Sequence, residues 1–255
     1  MKILISLLLL LISQTVQAET KQPMHNMNSH DMKMDHIAKS ATNTKQINIA
    51  VLIYDGVVLQ DFTGPIEVFS KAKRLTKGKY NLFTIAQDDE AISTENGFLK
   101  VTPDYSFSNM PEADYLIIPG GSMPVVNEMM KKQNIIDFIK AYDKKHTKIV
   151  SICTGSYLLA NTGLLQGKKA TTHYFVADDF SKLFDDIEII KDVRFVDEGQ
   201  YITSSGVTSG IDTALYIVGQ NSGVNIQNMI SRALQYTFHE KETWPVAPNG
   251  MKYRR

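Results

Sequence analysis

Three apolar runs without polar alternation constrain this chain most, because each stops at a loop rich in glycine or small residues. Residues 47–54 (INIAVLIY), 114–118 (DYLII) and 148–152 (KIVSI) read as strands buried on both faces of a parallel sheet. A further strand is predicted over 80–86, with weaker strand signals at 91–94, 98–102, 193–196 and 201–203. Between them lie helical stretches. One opens at Gly64-Pro65, with proline at an early helix position, and runs to Lys73. Others cover 134–142, 209–220 and 224–235, and Tyr157 begins one more. Strands alternating with helices predict an α/β fold whose mostly parallel sheet is covered on both faces. Neither an internal repeat nor a second domain is evident, so residues 46–240 are expected to form one domain with a tail over 241–255.

Ligands of such sheets bind beyond the carboxyl ends of the strands. The informative loops are therefore 55–64, 119–124, 153–156 and 204–208, which converge on one sheet edge. The third holds Cys153, the sole cysteine. A strand that turns sharply into a helix at a reactive side chain is a nucleophile elbow. There the helix N-terminus is expected to favour the thiolate. The same position also suits a buried structural thiol.

Asp61 precedes Gly64-Pro65 and suits either proton transfer beside a thiol or helix capping. Glu67 is expected in the first turn of the following helix, in a structural role, although it is near enough in sequence to count as a possible site residue. Backbone amides of Gly120 and Gly121, with that of Thr154, are candidates for an anion-stabilising pocket facing Cys153. Gly206 and Val207, on the fourth loop, are placed in the same substrate pocket. Thr154 adds a hydroxyl next to the sulfur. His173 is the single imidazole placed to serve as a base, and packing at a helix start is the preferred reading of it. His146 and His239 carry no signal.

The N-terminus is a separate object. Lys2, the apolar run of residues 3–12 and Val16-Gln17-Ala18 form the three regions of a signal peptide, so 1–18 is expected to be removed on export to the periplasm. The apolar run is too short for a membrane span of about 20 residues. Residues 19–45 lack apolar periodicity and are expected to be a disordered leader. Met24, His25, Met27, His30, Met32, Met34 and His36 supply thioether and imidazole ligands, a set suited to copper. Lys and Arg number 27, as do Asp and Glu, so no net charge argues for a nucleic acid or an anionic membrane as partner.

The segments Asp61-Phe62-Thr63-Gly64-Pro65-Ile66-Glu67-Val68-Phe69, Pro119-Gly120-Gly121, Ile152-Cys153-Thr154-Gly155-Ser156, the stretch from Gly163 to His173, and Ser205-Gly206-Val207-Thr208-Ser209-Gly210-Ile211-Asp212 resemble the ThiJ/PfpI superfamily. Within it they are most similar to the isonitrile hydratase branch. This resemblance implies a flavodoxin-like three-layer sandwich, a homodimer, a small-molecule substrate and no required cofactor. It further implies that Cys153 attacks the terminal carbon of an isocyanide to give a thioimidate-like adduct, which water resolves to an N-substituted formamide. Asp61 matches the branch's acid–base carboxylate and Thr154 its hydroxyl beside the nucleophile. The Cys-His pair of the protease-like branch is absent. A non-catalytic ligand-binding or redox-sensing protein of the same superfamily is the alternative. The same motifs occur in the ligand-binding half of AraC-type regulators. This sequence, ending at Arg255 and expected to be exported, is not expected to carry their DNA-binding domain.

Overall fold

The computed structural model describes residues 45–240 apart from 144 and 146. The signal peptide, all but the last residue of the Met/His leader, the tail over 241–255 and His146 lie outside the described residues.

The chain runs β1 (Ile47–Leu52), α1 (Leu59–Leu75), β2 (Tyr80–Ala86), β3 (Ile92–Ser93), β4 (Lys100–Val101), β5 (Tyr105–Ser106) and β6 (Tyr115–Ile118). Next come α2 (Met123–Lys131), α3 (Gln133–Asp143), β7 (Lys148–Ile152), α4 (Gly155–Asn161), β8 (Lys169–Ala170) and α5 (Ala177–Leu183). The described part closes with β9 (Glu188–Ile189), β10 (Phe195–Asp197), β11 (Tyr201–Ser204), α6 (Ser209–Ser222) and α7 (Val224–Ala233). Seven strands form the main sheet in the order β10-β11-β7-β6-β1-β2-β5. All its pairings are parallel except β10–β11. Helices α1, α6 and α7 pack together, as do α2, α3 and α4, and the two groups cover the two faces. This is the flavodoxin-like α/β sandwich.

Burial explains why the apolar runs lack alternation. Every residue of β6 and β11 is buried, as are the last four residues of β1 and of β7, because helices lie on both sides of these strands. From β1 the chain steps outward to β2 and β5, then crosses back to β6, β7 and β11. The strand order therefore reverses between β1 and β6, and the loops after them flank the crevice where such sheets bind ligands.

Three expectations need correction. First, α1 begins at Leu59 and carries Pro65 in its interior. Its buried face of Asp61, Phe62, Pro65, Val68, Phe69 and Ala72 keeps helical spacing, and packing that stripe outweighs the N–H bond lost at proline. Asp61 thus sits in the first turn of a helix, and Glu67 lies deeper along it, exposed and paired with Lys71. Second, the weak strand signals near 92 and 100 are borne out as β3 and β4, but these pair with each other as an antiparallel hairpin and do not extend the mostly parallel sheet. Third, α2, α5 and the two-residue pair β8–β9 were not expected; two paired residues are too few for periodicity to register. Among the described residues no helix is long and apolar enough to cross a membrane.

Candidate active site

Strand β7 delivers Cys153 at the sheet edge in a left-handed conformation, φ 58°. A non-glycine residue held there is strained, and the strain persists only when its surroundings over-determine it. Here they do. The Cys153 amide donates to the Ser204 carbonyl at 3.0 Å. Its carbonyl accepts from the Thr172 hydroxyl at 3.2 Å and lies 3.1 Å from the Ser156 hydroxyl, itself 2.7 Å from Thr172 Oγ1. One hydroxyl proton serves one acceptor, so Ser156 and Thr172 form a short chain that anchors this carbonyl. Gly155 makes the turn tight: a Cβ there would stand 2.2 Å from the Ile118 carbonyl oxygen.

Asp61 arrives from the first turn of α1 and is fully buried. Gly120 N–H donates to its Oδ2 and Val207 N–H to its Oδ1, each at 3.1 Å. The Cys153 thiol lies near enough for the two groups to shift each other's titration. Burial raises the Asp61 carboxyl to about 6, against the pull of the Gly120, Cys153 and Val207 hydrogen bonds and with a smaller push from Glu95. Burial also raises the Cys153 thiol well above the usual range, and the Asp61 charge adds to this. The Thr154 amide lowers it, but by less. The expectation that the helix N-terminus would favour the thiolate is therefore corrected: desolvation and the neighbouring carboxylate outweigh it. Two buried acids so closely coupled hold one proton between them at neutral pH, and they titrate as a pair.

The expected anion pocket is built differently from its sequence reading. The Gly120 amide serves Asp61, and the Gly121 amide is 3.0 Å from Thr154 Oγ1, whose proton goes to the Gly121 carbonyl at 2.7 Å. Both amides are engaged by the protein's own side chains, which leaves the Thr154 amide directed at the sulfur. Thr154 clasps the loop after β6 to the elbow. A Cβ at Gly120 would meet Thr154 Oγ1 at 2.5 Å and Asp61 Oδ2 at 2.8 Å, so this loop must come in as bare backbone.

His173 is half-buried and caps the 3₁₀ turn Tyr174–Val176, its Nδ1 accepting from Phe175 N–H at 3.4 Å. Burial lowers its pKa, which keeps the ring neutral. Its Cδ2 and the Cys153 sulfur both border Gly206, so it lies beside the thiol across that backbone. Glu67 pairs with Lys71 and has no contact with this centre. Among the described residues, no group of three or more His, Cys, Asp or Glu could hold a metal ion.

Three site residues had escaped sequence reading. Tyr54, just beyond β1, donates to the Pro119 carbonyl at 2.8 Å, and so fixes the turn that presents Gly120. Burial, then the Asp61 and Cys153 charges, raise its phenol. Ser156 and Thr172 are the others. Their signal was a pair of hydroxyls beside the elbow and beside His173, and only the fold brings them together.

Comparison with known proteins agrees with this architecture. The chain is 30% identical to the isonitrile hydratase of Pseudomonas putida over 190 residues, 74% of this chain and 78% of that protein. It is 26% identical over 195 residues to the HTH-type transcriptional regulator GbdR of Pseudomonas aeruginosa, spanning 52% of the regulator's length. The crystal structure of a ThiJ/PfpI family protein from Pseudomonas syringae superimposes with a TM-score of 0.67 at 21% identity, over 91% of this chain and 86% of that one. The model of the DJ-1/PfpI family matches residues 47–220, a span holding Asp61, the Cys153 elbow and the Gly206-Val207 loop, and the chain belongs to that family.

Proposed function

We propose that the protein is a cofactor-independent hydratase that adds water to an isocyanide or a similarly small electrophile through Cys153. The observation carrying this reading is the fully buried Asp61 carboxyl, fixed by the Gly120 and Val207 amides and coupled to Cys153 on its strained elbow. Asp61 takes the thiol proton as the sulfur bonds to the terminal carbon of R–NC, and returns that proton to the same carbon, giving the thioimidate R–N=CH–S–Cys153. Water then adds across C=N. Collapse of the adduct releases R–NH–CHO and restores the thiol, so atoms and protons balance. The Thr154 amide, aimed at the sulfur, stabilises the negative charge that develops there before attack. The similarity to an isonitrile hydratase at 30% identity supports the choice of electrophile.

Incubating the purified protein with alkyl and aryl isocyanides should give the formamide, read by NMR, and Cys153→Ala should reduce the rate to that of buffer. Turnover by Cys153→Ala at the native rate would remove this mechanism. The similarity to a transcriptional regulator favours a second reading, a domain that binds a small molecule without turning it over. Saturable ligand binding with no formamide formed would select it.

The reading extends to an exported protein with a metal-binding leader, supported by the signal-like N-terminus and by Met24, His25, Met27, His30, Met32, Met34 and His36. Deleting residues 19–45 should abolish Cu(I) binding in competition with a chromogenic chelator and leave the melting temperature unchanged. Retained binding would refute the role of the leader.

A further inference from the structure

Val207 is a β-branched residue at φ 44°, a conformation in which such side chains are outliers. Its amide donates to Asp61 at 3.1 Å, which explains the backbone but asks nothing of the side chain. Glycine would hold the same turn with less strain. The isopropyl group, 37% exposed and outside the core, therefore needs its own account.

It lines a cavity of about 140 Å³ together with His173, Tyr174, Ser205, Gly206 and Thr208. Gly206, at φ 144°, lines this cavity and borders the sulfur: the point where a Cβ would stand is only 3.0 Å from His173 Cδ2 and 3.2 Å from Cys153 Sγ. A side chain there would crowd both groups, so bare glycine backbone is all that stands between the cavity and the thiol. The lining is a phenol ring, an isopropyl group and an imidazole with small hydroxyls, and the Ser205 hydroxyl is already within reach of Ser209 Oγ at 2.9 Å. None of these lining residues is a lysine or arginine, and the Asp61–Cys153 pair behind them carries negative charge. A volume well below the roughly 300–1,000 Å³ of sites for drug-sized ligands limits what fits.

We infer that Val207 and Tyr174 form a specificity subsite that admits a neutral, compact, apolar substituent on the electrophile attacked by Cys153 and rejects carboxylate-bearing or extended ones. This rests on Cys153 being the nucleophile, whichever electrophile is natural.

Because Cys153 is the sole cysteine, N-substituted maleimides report on it without background, read as intact mass against time. The sulfur adds to one alkene carbon and a proton to the other. Rates with N-ethyl-, N-cyclohexyl-, N-(2-carboxyethyl)- and N-(1-pyrenyl)maleimide are divided by their rates with 2-mercaptoethanol. The ethyl and cyclohexyl reagents should exceed the carboxyethyl and pyrenyl ones by about tenfold or more, the size of discrimination a shaped apolar pocket supplies. Val207→Gly, whose backbone tolerates this turn, and separately Tyr174→Ala should cut the discrimination against the pyrenyl reagent at least threefold. Normalised rates equal within threefold across the native series would overturn the inference, as would full discrimination retained in both variants. Failure of every reagent to label Cys153 would overturn it too, by removing the nucleophile. Selective labelling without isocyanide turnover would leave the subsite standing and refute the hydratase reading. Turnover without selectivity would do the reverse.

Discussion

Asp61→Asn should lower kcat/KM for isocyanide hydration by about 10²–10⁴-fold, the usual loss when a positioned acid–base group is removed. The substitution keeps volume and leaves Cys153 on its elbow, but removes the group that accepts the thiol proton and returns it to carbon. A second readout separates this from a damaged fold. Burial raises Asp61 from 3.8 to about 6, so the folded protein holds this proton more tightly than the unfolded chain. Its favourable contribution is complete below about pH 4 and is lost as pH rises through about 6. Over that window the native protein should lose about 3 kcal/mol of stability relative to Asp61→Asn. Urea denaturation at several pH values measures the difference in slope, whatever constant offset the amide adds. Parallel stability profiles, or kcat/KM within threefold of native, would show that the carboxylate does not hold the proton assigned to it.

Gly155→Ala should cost about 3 kcal/mol or more, the upper range for overpacking. The added Cβ would stand 2.2 Å from the Ile118 carbonyl oxygen, 2.8 Å from that of Pro119 and 3.0 Å from the Ile118 carbonyl carbon. All three are backbone atoms, so no rotamer change gives relief. Either the end of β6 or the elbow after β7 must move, although the two strands are paired in register from Tyr115 with Lys148 to Ile118 with Ser151. Movement of β6 carries Gly120 away from Asp61, so thiol reactivity should fall with stability. A loss below about 1 kcal/mol in urea denaturation would mean the elbow is looser than this packing indicates.

Much of this architecture is legible in the sequence, for a physical reason. Strands buried on both faces have no polar side to show, so residues 47–52, 115–118 and 148–152 read plainly as the centre of a parallel sheet. The loops after them locate Cys153, Asp61 and Gly120 at one edge, because topology alone places them there. What sequence does not carry is the pairing of polar groups within that edge. The amides of Gly120, Gly121 and Val207 pass for ligand donors in the sequence, whereas the fold binds them to Asp61 and Thr154. Helix α1 starts at Leu59, ahead of the strong local signal at Gly64-Pro65, because the buried stripe through Asp61 and Phe62 overrules it. The raised thiol follows from burial among distant residues, whereas local reasoning registers only the helix beside it. Ser156 and Thr172 meet at 2.7 Å across a break in sequence that no periodicity spans.

The central claim is that Cys153 and Asp61 share one proton and together form the nucleophile. The pH dependence of Cys153 alkylation by iodoacetamide, an uncharged reagent, tests it most directly. In the native protein the rate should rise through about pH 6, as the pair loses its first proton, and then stay level across the ordinary thiol range near 8.5. In Asp61→Asn the rise near pH 6 should vanish, and reactivity should appear only at or above the ordinary thiol range. A native profile rising through 8.5 or higher, superimposable on that of Asp61→Asn, would contradict the shared proton and the mechanism built on it.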